Sequence, residues 1–277
     1  MKKGLTIVIS GVAACLLFCG ISAAQSPADV ARVAGNVPAV TTVEHPLMPV
    51  IRWAERERPN VAAIKDYTAI LQKQENIGGT VQGAQVMEIK IRHEPFSVYT
   101  KVRFPQNANG QQAIFVRGKN DDKVLAHGVG IERRLGTLRL DPEGPILMRN
   151  QKYPITDIGI LNLIDKLLEV GYADVKFGEC EVTYHEGVKL GTGDVARECT
   201  IIQVVHPVPR TNFRFHIARI YVDKELNLPL RYESYDWPRK EGETPMLLEV
   251  YEYRNLKLNV GLTDADFDHT NPAYAFP

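Results

Sequence analysis

Alternation of apolar and polar residues, with a period of two, runs through much of the chain after residue 86. In residues 87–92 every second side chain is apolar, and residues 96–104 repeat the pattern. Such alternation is typical of antiparallel strands that have one buried face and one wet face. The segments expected to form strands are 87–92, 96–104, 113–116, 123–126, 175–184, 199–206, 213–222, 229–237 and 246–253.

Two other stretches have apolar residues at three- and four-residue steps, which is the spacing of an α-helix. The first covers residues 49–74, where Pro59 is expected to divide the helix into two pieces and Asn60 to cap the second. The second is expected to be capped by Thr156 or Asp157 and to end at Gly171. The sequence therefore predicts an α+β fold, in which one N-terminal and one mid-chain helix accompany a large antiparallel sheet.

The first 24 residues have the three-part pattern of a secretory signal peptide. Lys2 and Lys3 precede an apolar run, and small residues lead to a cleavage point after Ala24. An uncleaved membrane anchor is the alternative, because the run approaches the ~20 residues that span a bilayer. Residues 25–48 lack a sustained period and are expected to form a flexible arm, followed by one domain over residues 49–277. We expect an exported, periplasmic or otherwise extracytoplasmic protein.

Charge narrows the range of partners. The whole chain carries 33 basic and 33 acidic residues, so loss of Lys2 and Lys3 with the signal peptide leaves a net charge of −2. No basic surplus is available to neutralise phosphates, which argues against nucleic acid as a partner. The sequence indicates nothing about the oligomeric state.

Cys180 and Cys199 are the cysteines that follow the predicted signal peptide. They flank turn-like residues 186–194, so a hairpin could place them opposite one another in an oxidising compartment. The favoured interpretation is a disulfide. Two alternatives stay open, namely two inert buried thiols and a reactive cysteine with His185 or His206 as its base.

Sequence motifs of catalysis and metal binding do not occur in the chain. It has no glycine-rich phosphate loop, no His-Glu-x-x-His and no Gly-x-Ser-x-Gly. The acidic cluster of Asp264, Asp266 and Asp268 lacks the glycine and the distal glutamate of a calcium loop. We therefore expect a protein that is not an enzyme and that uses neither a metal nor a cofactor.

Several short segments carry a resemblance to a known family. They are Asp-Tyr-Thr-Ala at 66–69, Pro-Phe-Ser-Val-Tyr at 95–99, Tyr-Val-Asp-Lys-Glu-Leu at 221–226, Tyr-Asp-Trp-Pro at 235–238 and Asp-Ala-Asp-Phe-Asp at 264–268. Together they resemble a bacterial exported family, the domain of unknown function fifteen seventy-one, over roughly residues 60–275. More distantly, the layout is similar to the outer-membrane lipoprotein carriers and receptors. That resemblance implies a curved half-barrel sheet that wraps the helices and holds acyl chains, and it assigns no binding residue.

A sheet that folds around helices without closing can leave an apolar cavity, which is how lipids are held. The candidate wall residues are Phe96, Val98, Val102, Phe104, Leu163, Ile164, Leu167, Leu168, Phe213, Phe215 and Ile217. For each of them the alternative is a place in an ordinary packed core.

Four aromatic residues on neighbouring predicted strands form a second candidate site. Tyr235 and Trp237 alternate on one strand, and Tyr251 and Tyr253 alternate on the next. A shared aromatic patch could stack on sugars or anchor a partner protein. Cross-strand stabilisation of the sheet is the alternative.

The leading hypothesis is an extracytoplasmic binding protein that holds a lipid or a lipoprotein acyl chain inside a half-barrel. An interaction or sensing module of the envelope, which uses the aromatic face and has no cavity, is the alternative. A hydrolase that uses Cys180 or an acidic pair is a third, less favoured hypothesis.

Overall fold

The first strand of the chain lies at the centre of a twelve-stranded antiparallel sheet. The computed structural model describes residues 44–277, so the predicted signal peptide and residues 25–43 of the predicted arm lie outside the described residues. The elements are α1 (Met48–Ala62), β1 (Asp66–Ile77), β2 (Thr80–Val81), β3 (Gln85–Arg92), β4 (Ser97–Phe104), β5 (Gln112–Val116), β6 (Val124–His127), β7 (Leu138–Leu140), α2 (Ile160–Asp174), β8 (Glu181–Leu190), β9 (Arg197–Val205), β10 (Ile217–Asp223), β11 (Pro229–Tyr235) and β12 (Leu247–Leu258).

The sheet consists of two successions of hairpins that meet at one seam. Its strand order is β7-β6-β5-β4-β3-β1-β12-β11-β10-β9-β8, and β2 forms a short hairpin with β1. The seam pairs β1 with β12, from Tyr67 opposite Leu258 to Glu75 opposite Glu249. The edge strands β7 and β8 do not pair with each other, so the sheet stays open. The predicted α+β half-barrel is confirmed.

The hydrophobic core lies between the helices and the face of the sheet that they cover, here named the concave face. Ala54 and Val61 of α1 pack there, as do Ile160 and Ile164 of α2. They join one cluster with Leu228, just before β11, and with the strand residues Tyr67, Ala69, Leu71, Met87, Ile89, Ile91, Val98, Leu230 and Tyr253. Burial of these apolar side chains is the main force that holds the helices inside the curve of the sheet.

The helical interpretation of residues 49–74 is wrong in its second half. Pro59 lies inside α1 instead of dividing two helices, and Asn60 caps nothing because α1 continues to Ala62. The chain then forms β1 from Asp66. Its alternation was hidden because Lys73 and Glu75, which are polar, occupy buried positions of the concave face.

The mid-chain helix is confirmed, but its predicted ends are wrong. Helix α2 begins after Gly159 with no side-chain cap, so neither Thr156 nor Asp157 has the predicted role. Gly171 does not end the helix, which continues to Asp174. A Cβ atom at Gly171 would lie 3.1 Å from Cγ1 of Ile51, so this glycine allows α1 to approach closely.

The C-terminal segment covers the outer face of the sheet near β3–β5. Tyr274 stacks on Tyr99 with ring centroids 4.3 Å apart, and Lys90 donates to Asp266 at 2.7 Å. Asp264 of the predicted acidic cluster accepts from Arg92 at 2.8 Å. These acidic side chains therefore fasten the segment to the sheet.

Two strand predictions need smaller corrections, and the shortest strands were not predicted. The strand expected at 175–184 begins only at Glu181 and extends to Leu190. The strand expected at 213–222 begins at Ile217. Strands β2 and β7 were not predicted at all, since two or three residues are too few to establish a period. Between residues 44 and 277 no helix is long and apolar enough to cross a membrane.

Candidate functional site: a cavity on the concave face

A cavity of about 1350 Å³ lies between the concave face and the two helices. Leu71 and Met87 line it from the two central strands, where they face each other across the β1–β3 pairing. Ile51 of α1 and Leu167 of α2 contribute from the helices. The half-barrel is therefore not filled by its own side chains, and a large space remains beside the core.

Four of the residues predicted as the cavity wall line this cavity. They are Val102 on β4, Leu163 and Leu167 on α2, and Phe215 just before β10. The two helix residues are one turn apart, so they present one apolar stripe to the space.

Four other predicted wall residues belong to the packed core. Val98 and Ile164 are fully buried within the main core cluster. Phe96 and Leu168 are partly buried and pack against the same cluster. At these four positions the alternative that the sequence left open, a place in an ordinary packed core, is the one observed.

The last three predicted wall residues do not line the cavity. Phe213 stacks on the imidazole of His206, with ring centroids 3.8 Å apart. Ile217 faces the outer side, because Ala218 next to it in the strand lines the cavity. Phe104, at the end of β4, is 51% exposed.

Sequence reasoning missed the part of the wall that lies on β5–β7. Ala113 and Ala126 are cross-strand partners there, and Leu138 is the partner of Ala126 on β7. All three line the cavity. The small side chains of the two alanines leave space at this end. Apolar periodicity does not identify such positions, because their contribution to the cavity is their small size.

The cavity has a polar end, which lies where β1 ends and β12 begins. Glu75 is almost fully buried and accepts from Lys73 Nζ at 3.1 Å. It also accepts from the hydroxyl of Tyr251 and from the backbone N–H of Lys152, the latter at 3.1 Å. The carboxylate is thus surrounded by donors, as a buried charge must be.

Residues 151–153 cross over this polar end from the segment that precedes α2. Lys73 donates to the side-chain oxygen of Gln151, and Lys152 Nζ lies 2.8 Å from Glu249 Oε2. Tyr153 packs against Tyr251 with ring centroids 6.1 Å apart. Two lysines and two glutamates therefore balance each other in the polar end.

Burial shifts the proton equilibria of these groups. It lowers the pKa of Lys73 from its usual 10.5, although Glu75 opposes the shift. It raises the pKa of Tyr251 far above the usual value, and the charges of Glu249 and Glu75 add to the rise. The tyrosine therefore stays a neutral hydrogen-bond donor at every physiological pH.

The four predicted patch aromatics do not share one surface. Tyr251 and Tyr253 line the cavity, and Tyr251 is the strand partner of Tyr232 on the same face. Tyr235 points to the outer face, where the guanidinium of Arg219 lies 5.5 Å from its ring centroid. Because the faces of a strand alternate, Tyr232 rather than Tyr235 accompanies Tyr251.

Trp237 lies beyond the end of β11 and is tied to its surroundings. Its indole N–H donates to the backbone oxygen of His206 at 3.0 Å. The ring also packs near His216, with centroids 5.8 Å apart. This tryptophan is anchored at the end of the sheet.

The predicted disulfide is wrong, because Cys180 and Cys199 are free and buried. In the β8–β9 pairing Cys199 lies opposite Val188, whereas Cys180 precedes Glu181, which lies opposite Val205. Six residues of β9 separate these levels, or about 20 Å at ~3.3 Å per residue. That distance is far beyond the reach of a disulfide.

Neither cysteine has the environment of a nucleophile. Burial raises the pKa of Cys180 to about 12, and the nearby Asp174 and Glu181 add to the rise. Burial raises that of Cys199 to about 11. An activated thiolate requires the opposite shift.

His206, the candidate base for a reactive cysteine, is engaged elsewhere. Its Nε2 lies 3.1 Å from a carboxylate oxygen of Asp174, and its Nδ1 lies 3.1 Å from the backbone oxygen of Glu179. Both side chains are buried. The pair joins the end of α2 to the end of β9, a contact that nothing in the sequence announced.

Over residues 44–277, no group of three or more His, Cys, Asp or Glu side chains is arranged to hold a metal ion.

A family model described as "Protein of unknown function (DUF1571)" matches residues 64–276. The chain belongs to this family. The membership inferred from the short segments is thereby confirmed. No curated protein matches the chain.

Solved structures show distant likeness. A DUF1329 family protein from Desulfovibrio piger has 17% identity and a TM-score of 0.38, over 81% of this chain and 98% of that one. A putative outer membrane lipoprotein-sorting protein domain from Vibrio parahaemolyticus has 11% identity and a TM-score of 0.37, over 79% and 95%. The Mycobacterium tuberculosis lipoprotein LppX has 8% identity and a TM-score of 0.42, over 80% and 100%.

Proposed function

We propose that this protein binds a lipid, or the acyl chain of a lipoprotein, in the concave-face cavity. The observation that carries the proposal is the size of that cavity. Its volume of about 1350 Å³ exceeds the roughly 300–1,000 Å³ of ordinary small-molecule pockets. A long hydrocarbon chain is a ligand that can occupy such a space without many polar partners.

The distribution of side chains along the cavity supports an amphiphilic ligand. Leu71, Met87 and Val102 form the apolar part of the wall, against which an acyl chain can be buried. Lys73, Glu75 and the neighbouring Tyr251 lie at the polar end and offer donors and acceptors to a head group.

The proposal assigns the protein to a binding role outside the cytoplasm, without catalysis. It rests there on the signal-peptide pattern of residues 1–24 and on the absence of catalytic motifs from the sequence. The alternative of an interaction module had its basis in one aromatic face. Tyr251 faces the cavity and Tyr235 the outer side, so that basis is lost.

The proposal can be tested by measuring lipid binding before and after the volume of the cavity is reduced. Native mass spectrometry of the protein purified from its own envelope should detect a bound lipid, and a fluorescent fatty acid should bind and be displaced by it. Ala126→Trp places a large ring in the space beside β6 and should weaken probe binding by at least about tenfold, since it excludes several methylene groups. Thr183→Trp, at an exposed position of β8, is the matched control and should bind normally.

Circular dichroism and the melting temperature establish that both variants are folded. Failure of the wild-type protein to bind any acyl probe, or equal binding by folded Ala126→Trp and wild type, would contradict the proposal.

A further inference from the structure

Large apolar side chains that are exposed to solvent lie in and beside the connections that border the cavity. They are Phe104 at the end of β4, Ile131 and Leu135 on the short helical turn Gly130–Leu135, and Ile146 after β7; they are here named the apolar rim. Ile131 is 77% exposed and Leu135 is 66% exposed. A patch of large apolar side chains exposed to solvent often marks a site of interaction with a protein or a membrane.

The topology brings Phe104 and the turn Gly130–Leu135 to the same end of the sheet. The β4–β5 and β6–β7 connections leave the sheet side by side, because Gln112 pairs with His127 where the two connections meet β5 and β6. Gln111 from one connection donates to Glu132 from the other at 3.4 Å. Both of these side chains line the cavity, and so does Ile146.

Exposed arginines accompany the apolar side chains. Arg133 and Arg134 lie on the same turn as Ile131 and Leu135, and Arg149 follows Ile146 closely in the chain. Within residues 44–277 none of these three guanidinium groups forms an ion pair with a carboxylate.

The neighbouring basic residues differ in this respect. Arg139 pairs with Asp121 at 2.8 Å and Lys123 pairs with Asp141 at 2.7 Å. Arg133 and Arg134 thus keep their positive charges available, whereas the charges of Arg139 and Lys123 are neutralised by acidic partners.

We infer that the apolar rim docks on an anionic lipid bilayer. Ile131 and Leu135 enter the hydrocarbon boundary, while Arg133 and Arg134 contact lipid phosphates. Apolar side chains at the tip of a turn, with cations directly beside them, suit the charge and polarity profile of such a surface. In this orientation the cavity opens toward the membrane.

The inference extends the proposed function and rests on it for the cargo, since a docked rim would let a lipid pass between bilayer and cavity without crossing water. The docking itself can be tested without reference to the cargo.

The experiment is vesicle co-sedimentation with two lipid compositions. Wild-type protein should bind vesicles of phosphatidylglycerol and phosphatidylcholine, bind pure phosphatidylcholine more weakly, and lose affinity as salt is added. Ile131→Ser combined with Leu135→Ser should lower the partition coefficient by at least about tenfold, since burying one leucine-sized side chain is worth roughly that factor or more. Arg133→Gln combined with Arg134→Gln should lower it by about fivefold for each arginine.

Matched controls come from exposed residues that lie outside the cavity wall. Val208→Ser with Leu226→Ser removes two partly exposed apolar side chains elsewhere on the surface, and Arg239→Gln with Lys240→Gln removes the same charge. Both control pairs should partition as the wild type does.

Equal partition of wild type and rim variants, or equal loss in the control pairs, would overturn the inference. Native mass spectrometry separates it from the proposed function. If the variant with Ile131→Ser and Leu135→Ser keeps its bound lipid but no longer binds vesicles, it has lost docking alone. Vesicle binding that depends on the rim, in a protein that never holds a lipid, would sink the proposed function and leave the docking inference intact.

Discussion

The hydroxyl of Tyr67 on β1 accepts a hydrogen bond from the backbone N–H of Ile160, the first residue of α2, at 2.9 Å. The hydroxyl of Tyr253 on β12 accepts from the N–H of Gly159 at 3.1 Å. Gly159 has no side chain with which to cap the helix. Tyrosines on the two central strands therefore accept hydrogen bonds from the backbone N–H groups at the start of α2. The helix that bounds the cavity is therefore positioned by the seam of the sheet.

Replacement of Tyr67 by Phe should destabilise the protein. The ring stays, but the N–H of Ile160 loses its partner in a fully buried place. We expect the free energy of unfolding to fall by about 1–3 kcal/mol, as for other buried donors left without an acceptor. Urea denaturation measures the change, and Tyr184→Phe on exposed β8 is the control. Equal stability of the two variants would refute this role of the hydroxyl.

Gly171 should tolerate no large side chain. Its missing Cβ leaves room for Ile51 of α1, which lies 3.1 Å from the position that a Cβ would take. Gly171→Leu should lower the free energy of unfolding by about 1–3 kcal/mol, the usual cost of overpacking. Gly178→Leu, where a Cβ would meet open space, should change it little. Thermal melts of both variants test the contrast, which a similar loss in each would contradict.

Cys180 and Cys199 should resist alkylation in the native protein. With pKa values of about 12 and about 11, about one thiol in a thousand or fewer is ionised at pH 8. Iodoacetamide followed by peptide mapping should modify both residues only after denaturation. Rapid native labelling, or a cross-linked peptide that contains both residues, would show that this account of the two thiols is mistaken.

Lys73 should make the stability of the protein depend on pH in the alkaline range. Because burial lowers its pKa in the folded state, the unfolded chain binds more protons between that lowered value and 10.5. Stability contributed at this site therefore rises as the pH rises toward 10.5.

The measurement is the difference in unfolding free energy between wild type and Lys73→Met, followed from neutral pH upward. The difference should move in favour of the wild type as the pH increases. Lys240→Met, at an exposed position, should give a flat difference. A flat difference for Lys73→Met as well would contradict the inferred burial of a charged group.

The fold was largely predictable because β3, β4 and β9–β12 alternate cleanly, and α2 has a broad apolar stripe. The first strand was not, since Lys73 and Glu75 occupy inward positions that a pattern of polarity assigns to the outside. Their burial is possible only because Gln151 and Lys152 arrive from a distant part of the chain. No local pattern encodes a partner so far away in sequence.

The cavity was predictable as an ensemble of apolar faces but not residue by residue. Val102 and Leu163 line it, whereas Val98 and Ile164, which have the same local pattern, are core residues. The disulfide prediction failed for a related reason. The register of β8 on β9 is set by bulges and turns, which the sequence indicates only through a loose cluster of glycines.

The pairing of the first strand with the last has a consequence for assembly. Tyr67 on β1 pairs with Leu258 on β12, so the two half-sheets can be joined only after β12 has been synthesised. The cavity, whose wall includes Leu71 on β1 and Tyr251 on β12, is therefore complete only after these two strands have paired.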